Sequence, residues 1–147
     1  RIADAIVRER LKAPICSTNR LAEIIKKAHP SWTRGQHPAT KSFQAIRIYI
    51  NRELKDLDYF LERVVDTLKI GGRLVVISFH SLEDRRVKRF IRSQERGQIL
   101  PRNLPIPDSD RLIRLVKVGS AIKPSSAEIA RNKRARSAVM RVAERIA

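Results

Sequence analysis

Four residues able to take part in chemistry lie at the carboxyl end of one short apolar run: Ser78, Phe79, His80 and Ser81. The run, residues 73–79 (RLVVISF), is nearly continuous and rich in β-branched side chains, which is typical of a strand buried on both faces in a parallel α/β sheet. Such sheets bind ligands outside the carboxyl ends of their strands. At that position a neutral His80 or the hydroxyl of Ser78 could accept a proton, and Phe79 could stack on an unpaired base.

Each of these residues also has an ordinary structural role open to it. Ser81 can cap the N-terminus of the following helix, where Glu83 and Asp84 would be favoured by the helix dipole. His80 can simply satisfy a backbone group, and Phe79 can belong to the core. The residues alone leave both interpretations open.

A second polar set lies along a helix predicted to begin near Pro38, since proline suits the first helical position. This places His37 at or beside the N-cap. At about 100° per residue, one stripe of that helix is polar. Its members are Lys41, Gln44, Arg47 and Asn51, with Thr40 beside them. Because a helix N-terminus attracts anions, the stripe could contact nucleic acid; the alternative is a polar seam inside the protein.

Positive charge dominates the chain and is dense near its C-terminus. The formal net charge is +17 and the isoelectric point is about 11.3. A short basic run consists of Arg131, Lys133, Arg134 and Arg136. Because such side chains release counterions when they contact phosphates, we expect a nucleic-acid partner. A solvated basic face on an ordinary enzyme is the alternative.

The composition excludes several classes of protein. A hydrophobic content of 42% suffices for a packed core and argues against a disordered basic tail. No apolar run approaches the ~18 residues of a membrane span, and no signal peptide is visible. The single cysteine, Cys16, has no internal disulfide partner, which favours a cytoplasmic location. Neither CxxC nor HExxH spacing occurs, so no metal site is predicted.

The first half of the chain reads as helices. The first helix ends before Pro14, and Ser17 is a predicted N-cap for the second. The third helix, the one beginning near Pro38, continues to Leu68, and a bend at residues 53–56 is left open. The chain opens inside a helical pattern and without Met, so we expect it to be an internal fragment.

The second half alternates strands and helices, which is typical of an α/β fold. After Gly71-Gly72, the predicted elements are a strand at 73–79, a helix at 81–96, a loop at 97–110, a strand at 111–118, a short helix around 126–130 and a strand at 137–143. The last two strands would add an antiparallel edge to a mostly parallel sheet.

Three segments of the chain resemble one known family. They are residues 37–54 (HPATKSFQAIRIYINREL), 71–90 (GGRLVVISFHSLEDRRVKRF) and 135–146 (ARSAVMRVAERI). In order and spacing they are similar to the 16S ribosomal RNA cytosine-N4 methyltransferases, the MraW family, and the resemblance covers essentially the whole chain. Lys133 departs from the family's usual proline, which bears only on the local loop.

The resemblance implies the C-terminal part of a class I, Rossmann-like methyltransferase that uses S-adenosylmethionine. Residues 1–53 would be the end of a helical substrate-recognition insertion, and residues 54–147 the C-terminal portion of the catalytic core with its fifth to seventh strands. The donor would be bound mainly by a half that lies upstream, so no donor-binding residue is predicted here.

The implied reaction is N4-methylation of a cytosine in 16S ribosomal RNA near the decoding centre of the small ribosomal subunit. His80 and Ser78 would then be the catalytic candidates. The RNA-binding candidates would be His37, Lys41, Gln44, Arg47, Asn51, Phe79, Arg131, Arg134 and Arg136. The rival interpretation is a non-catalytic basic RNA-binding module, which donor binding would distinguish. The fragment alone is predicted to be inactive, and its oligomeric state is left open.

Overall fold

A computed structural model describes residues 1–29, 37–97 and 112–147. Most of the predicted loop at 97–110 lies outside these residues. The chain divides into two compact units, Arg1–Glu53 and Leu54–Ala147. Each unit has its own packing, so each is described by itself.

The described part of the first unit contains three helices: α1 (Ile2–Lys12), α2 (Thr18–Ala28) and α3 (Thr40–Ile50). Ser17 caps α2 as predicted, because its side chain accepts a hydrogen bond from the N–H of Arg20. Ile24 and Ile25 are buried. The Arg20 guanidinium also donates to Glu9 at 2.7 Å, which connects α2 to α1.

The long helix predicted from Pro38 to Leu68 is wrong, because the chain forms two helices there. α3 begins at Thr40, after a turn in which the Thr40 N–H donates to the carbonyl of His37. It ends at Ile50, and Arg52 then adopts a left-handed φ of 55°. That conformation cannot continue a right-handed helix, so α4 (Glu53–Thr67) starts afresh. The break at Arg52 therefore lies just before residues 53–56, where the sequence had left the presence of a bend undecided.

The second unit is built on a three-stranded sheet: β1 (Arg73–Ser78), β2 (Leu115–Lys117) and β3 (Val139–Arg145), in the order β1-β3-β2. Both pairings are antiparallel, so β1 and β2 run parallel to each other on either side of β3. The antiparallel character of the late strands is confirmed. β2 is shorter than the strand predicted at 111–118. β3 begins later than the strand predicted at 137–143, because a 3-10 helix occupies Lys133–Ser137.

Helix α4 and the helix that follows β1 pack on the Leu74 face of this sheet. α5 (Ser81–Arg96) has the predicted bounds, and α6 (Ser126–Arg131) is the predicted short helix. One cluster forms the core: Leu61, Val64, Val65, Leu74, Val87, Ile91, Leu115 and Ala143. Burying such side chains is the main stabilising term, about 1.5–3 kcal/mol for each large one.

The prediction that β1 is buried on both faces is wrong for this unit. Leu74 and Ser78 are buried, but Val75 and Ile77 are more than half exposed. The reason is that the core cluster lies on the Leu74 face alone. Among the described residues, β3 is the only strand paired with β1. Within the described ranges, no helix has the length and apolarity needed to cross a membrane.

Candidate functional site

One edge of the sheet collects several of the predicted site residues. The register pairs Ser78 with Val139, so the residues leaving β1 lie beside the residues entering β3. We call residues 78–80 and 133–138 together the carboxyl edge, because β1 ends there and β2 runs in the same direction. This is the end of the strands at which α/β sheets bind ligands.

Phe79 and Ser78 differ sharply in accessibility at this edge. The Phe79 side chain is 57% exposed, so within its unit it is not a core residue. It presents an aromatic surface on which a base could stack. Ser78 is only 3% exposed and lies on the Leu74 face. A hydroxyl so enclosed is poorly placed to accept a proton from a bound ligand.

His80, not Ser81, is the N-cap of α5. Its Nδ1 atom accepts a hydrogen bond from the Glu83 N–H at 3.3 Å. The Glu83 carboxylate in turn accepts from the N–H of Phe79 at 2.9 Å and of His80 at 3.3 Å. This capping box satisfies the backbone donors at the start of the helix and fixes where Phe79 leaves the strand.

The capping role limits what the imidazole of His80 can do. Because Nδ1 accepts a hydrogen bond, the neutral ring carries its hydrogen on Nε2. The Nε2 atom lies 3.4 Å from a Glu83 oxygen, and the side chain is only 11% exposed. In this conformation neither nitrogen offers a free lone pair to a substrate. The structure thus supplies a positioning role for His80, while its catalytic role stays a prediction.

A pair that the sequence analysis did not single out lies next to this cap. Arg141 of β3 binds Asp84 of α5 through two hydrogen bonds, of 2.6 and 3.0 Å. Both side chains are largely buried, at 16% and 21% exposed. Such bidentate pairs have a fixed geometry, so this one holds the first turn of α5 against β3. Residues so far apart in sequence carried no local signal of this contact.

The basic segment, residues 131–136, has a fold that leaves its charges exposed. The Asn132 side chain caps the 3-10 helix by accepting from the N–H of Arg134 at 3.1 Å. Ala135 is buried and anchors the segment. Its four basic side chains are all exposed to solvent: Arg131, Lys133, Arg134 and Arg136. No carboxylate partner is seen for them within the described part of the chain.

The predicted polar stripe of α3 is only partly available to a ligand. A shallow groove is lined by His37, Thr40, Phe43, Gln44 and Arg47. Lys41 is exposed beside it. His37 is also engaged locally, since its Nδ1 accepts from the N–H of Ala39 at 3.2 Å.

At the other end of the stripe, Arg47 and Asn51 are hydrogen-bonded to an acidic side chain. Arg47 donates to both oxygens of Glu53, at 2.8 and 3.2 Å. Asn51 donates to the same carboxylate at 3.2 Å. These contacts lie within the first unit and connect the end of α3 to the residue that follows the break at Arg52. They engage Arg47 and Asn51, although the Arg47 side chain remains 57% exposed.

The glycine pair before β1 is not a donor-binding loop. The Gly71 N–H donates to the carbonyl of Arg145 at 2.7 Å, and the Gly72 carbonyl accepts from the Arg145 N–H at 2.8 Å. The pair therefore leads the chain into the sheet, whereas nucleotide-binding glycine loops follow a strand. The glycine pair therefore does not fit the phosphate- or nucleotide-binding role of such a loop.

Comparison with known proteins identifies relatives along the whole chain. The model of the MraW methylase family matches residues 1–146. A protein named ribosomal RNA small subunit methyltransferase H from a Marinomonas species is 55% identical over 146 residues. Proteins of the same name from Chromohalobacter salexigens and Legionella pneumophila are 58% and 53% identical over 147 residues.

The alignments cover nearly all of this chain but less than half of each relative. They include 99% of this chain and 47% of the Marinomonas protein, 99% and 44% for Chromohalobacter, and 100% and 48% for Legionella. The chain therefore spans about half the length of the curated relatives it matches. A family match over 146 of 147 positions confirms the resemblance seen in the three segments, and the chain belongs to the MraW methylase family.

Proposed function

We propose that this chain forms the C-terminal half of an enzyme that methylates N4 of a cytosine in 16S ribosomal RNA near the decoding centre. The methyl donor is S-adenosylmethionine, and the partner is the cytoplasmic small ribosomal subunit. The names of the relatives support ribosomal RNA methylation. The net charge of +17 supports an RNA partner.

The two units have different roles in the proposed enzyme. The second unit supplies the last strands of a class I, Rossmann-like sheet. In the described part of the chain β1 has a partner on one edge only, and an open apolar edge is a place for further strands to pair. The first unit belongs to a helical insertion that recognises substrate. Its exposed α3 groove with His37 and Gln44 is the surface offered for that role.

The carboxyl edge is the observation that carries the proposal for the site. Methylating an exocyclic amine requires the nitrogen to lie in line with the methyl group, and positioning alone can supply much of the rate. The exposed ring of Phe79 would hold an extruded base by stacking. Arg131, Arg134 and Arg136 would hold the neighbouring phosphates. S-adenosylmethionine supplies the methyl group and is held by residues outside this chain.

His80 has two roles that one substitution separates. Asparagine is a good N-cap but a poor base, so His80→Asn keeps the cap while removing the imidazole. If His80 only positions Phe79 and α5, His80→Asn retains kcat within about threefold and His80→Ala lowers stability. If His80 accepts the amine proton, His80→Asn lowers kcat by about 10²-fold or more, and the pH profile changes with it. Ser78→Ala provides the same test for the buried hydroxyl.

The proposed function is tested by transfer of labelled methyl groups from S-adenosylmethionine to small-subunit RNA. The chain alone is compared with the full-length protein that carries it. We expect activity only in the full-length protein, with the label on cytosine N4 by mass spectrometry. No activity in either, with RNA binding intact and no donor binding, would favour the non-catalytic RNA-binding module instead.

A further inference from the structure

A second basic site lies in the second unit, and none of the predicted catalytic residues lines it. A cleft between α5 and the loop after β2 has a volume of about 90 Å³. We call it the α5 cleft. Of the residues that the structure describes, four cationic ones line it, Lys88, Arg92, Lys117 and Arg141, against the single carboxylate of Glu95. The excess of positive charge makes it attractive to an anion.

The charges of the α5 cleft are not equally available. Arg141 is neutralised by Asp84, and Glu95 accepts a hydrogen bond from the N–H of Lys117. Lys88 and Arg92 are exposed and one helical turn apart on α5. Within the described residues they contact no carboxylate, so both remain available to a ligand.

The loop on the other side of the cleft adds backbone donors. The Val118 N–H donates to Val142 and the Ile122 N–H to Met140, so residues 119–121 bulge out opposite Arg141. Gly119 has a φ of +67°. Over the described ranges, the N–H groups of Gly119, Ser120 and Ala121 have no acceptor in the protein. Unpaired successive backbone donors in such loops form anion-binding concavities.

From this arrangement we propose that the α5 cleft binds a backbone phosphate of the RNA substrate. The loop follows β2, which ends on the same side of the sheet as β1, so the bound phosphate belongs to RNA that also reaches the carboxyl edge. Lys88 and Arg92 neutralise the phosphate, and the bulged loop donates to its oxygens. The inference rests on the proposed function and adds to it a contact with no role in selecting the base.

Two double substitutions on the same helix test this proposal. Lys88→Ala/Arg92→Ala removes two charges from the cleft. Arg85→Ala/Arg89→Ala removes two charges from α5 outside the cleft, and these residues line a different groove. Binding of a 16S ribosomal RNA transcript is measured over a salt series in the full-length protein. Urea unfolding of each variant shows that the fold is intact.

The cleft variant is expected to bind RNA about tenfold or more weakly, and its slope of log affinity against log salt falls by about 1 to 2. The control variant changes affinity by less than about threefold. In addition, dimethyl phosphate shifts the amide signals of Gly119, Ser120 and Ala121 in the unmodified protein and not in the cleft variant.

Equal losses from the two double variants, without amide shifts, would overturn the proposal. The unmodified protein would still methylate RNA in that case, so the proposed function would stand. Failure of the unmodified protein to bind or methylate the RNA would instead contradict the proposed function and the cleft proposal together.

Discussion

The two units of this chain use arginine in different ways. In the first unit, Arg20 and Arg47 are paired with Glu9 and Glu53, and the pairs connect one helix to the next. In the second unit one arginine pair, Arg141–Asp84, is largely buried, at 16% and 21% exposed. Arg145 donates instead to the backbone carbonyls of Val65 and Leu68 at the end of α4.

The second unit differs further in having a continuous core and a surplus of cations. Eight of the described residues form its core cluster, and the exposed basic side chains of α5 and of the basic segment lie outside it. The comparison indicates that arginines paired with carboxylates stabilise the fold. The exposed arginines that lack such a partner among the described residues are available to a polyanion. Counting arginines in a sequence does not separate the two groups, because pairing depends on tertiary contacts.

The core of the second unit gives the largest predicted effect. Leu115 is fully buried, whereas Leu112 is 62% exposed. Leu115→Ala is expected to lower the free energy of unfolding by about 2–5 kcal/mol, because it leaves a cavity. The control Leu112→Ala should cost less than about 0.5 kcal/mol. Urea denaturation measures both, and similar values would contradict the core described for this unit.

The two bidentate pairs allow the units to be compared directly. Arg141–Asp84 is 16% and 21% exposed, and Arg47–Glu53 is 57% and 21% exposed. Double-mutant cycles with Arg→Met, Asp→Asn and Glu→Gln should give a coupling of roughly 1–3 kcal/mol for the first pair. The second should give less than about 1 kcal/mol, since water screens it. A stronger coupling in the first unit would reverse the comparison.

The basic segment and Arg47 should differ in RNA binding. Arg134→Ala/Arg136→Ala is expected to weaken binding of the 16S transcript about tenfold and to reduce the salt slope by about 1 to 2. Arg47→Met should leave affinity within about threefold while lowering stability, because Arg47 is bound to Glu53. If Arg47→Met instead lowered RNA affinity and left stability unchanged, the result would support the predicted contact between Arg47 and RNA.

The smallest effect concerns pH in the first unit. The hydrogen bond and charge of Lys12, followed by the charge of Arg20, hold the pKa of Glu9 below its usual 4.5. A lowered folded-state pKa means that this contribution is present above 4.5 and is lost as the pH falls through the folded value. Thermal melts at decreasing pH should show this loss, and Glu9→Gln should abolish it. An unchanged pH dependence in Glu9→Gln would contradict the role of this pair.

The sequence predicted local features well where they depend on neighbouring residues. The Ser17 cap, the bounds of α5 and the short α6 are confirmed, because capping and helical periodicity are encoded within a few positions. The break at Arg52 was missed, since apolar residues continue at helical spacing on both sides of it. The one-sided burial of β1 was missed because an apolar strand does not show which of its faces is covered.

The candidate site was predictable in its members but not in its geometry. His80 and Glu83 were visible in the sequence, yet their reciprocal capping shows only in the structure. The α5 cleft was not predicted, because Lys88 and Arg92 are far in sequence from residues 119–121 and come together only when β2 pairs with β3.

The central claim is that the carboxyl edge holds an RNA base for methylation, and a matched pair of variants tests it most directly. Phe79 and Val75 lie on the same exposed side of β1, at 57% and 53% exposed. Methyl transfer to small-subunit RNA is measured in the full-length protein with Phe79→Ala and with Val75→Ala. We predict that Phe79→Ala lowers kcat/KM about 10- to 100-fold, as expected for a lost stacking contact. Val75→Ala should stay within about threefold, and donor affinity should be unchanged in both. Equal values of kcat/KM for the two variants would contradict the claim.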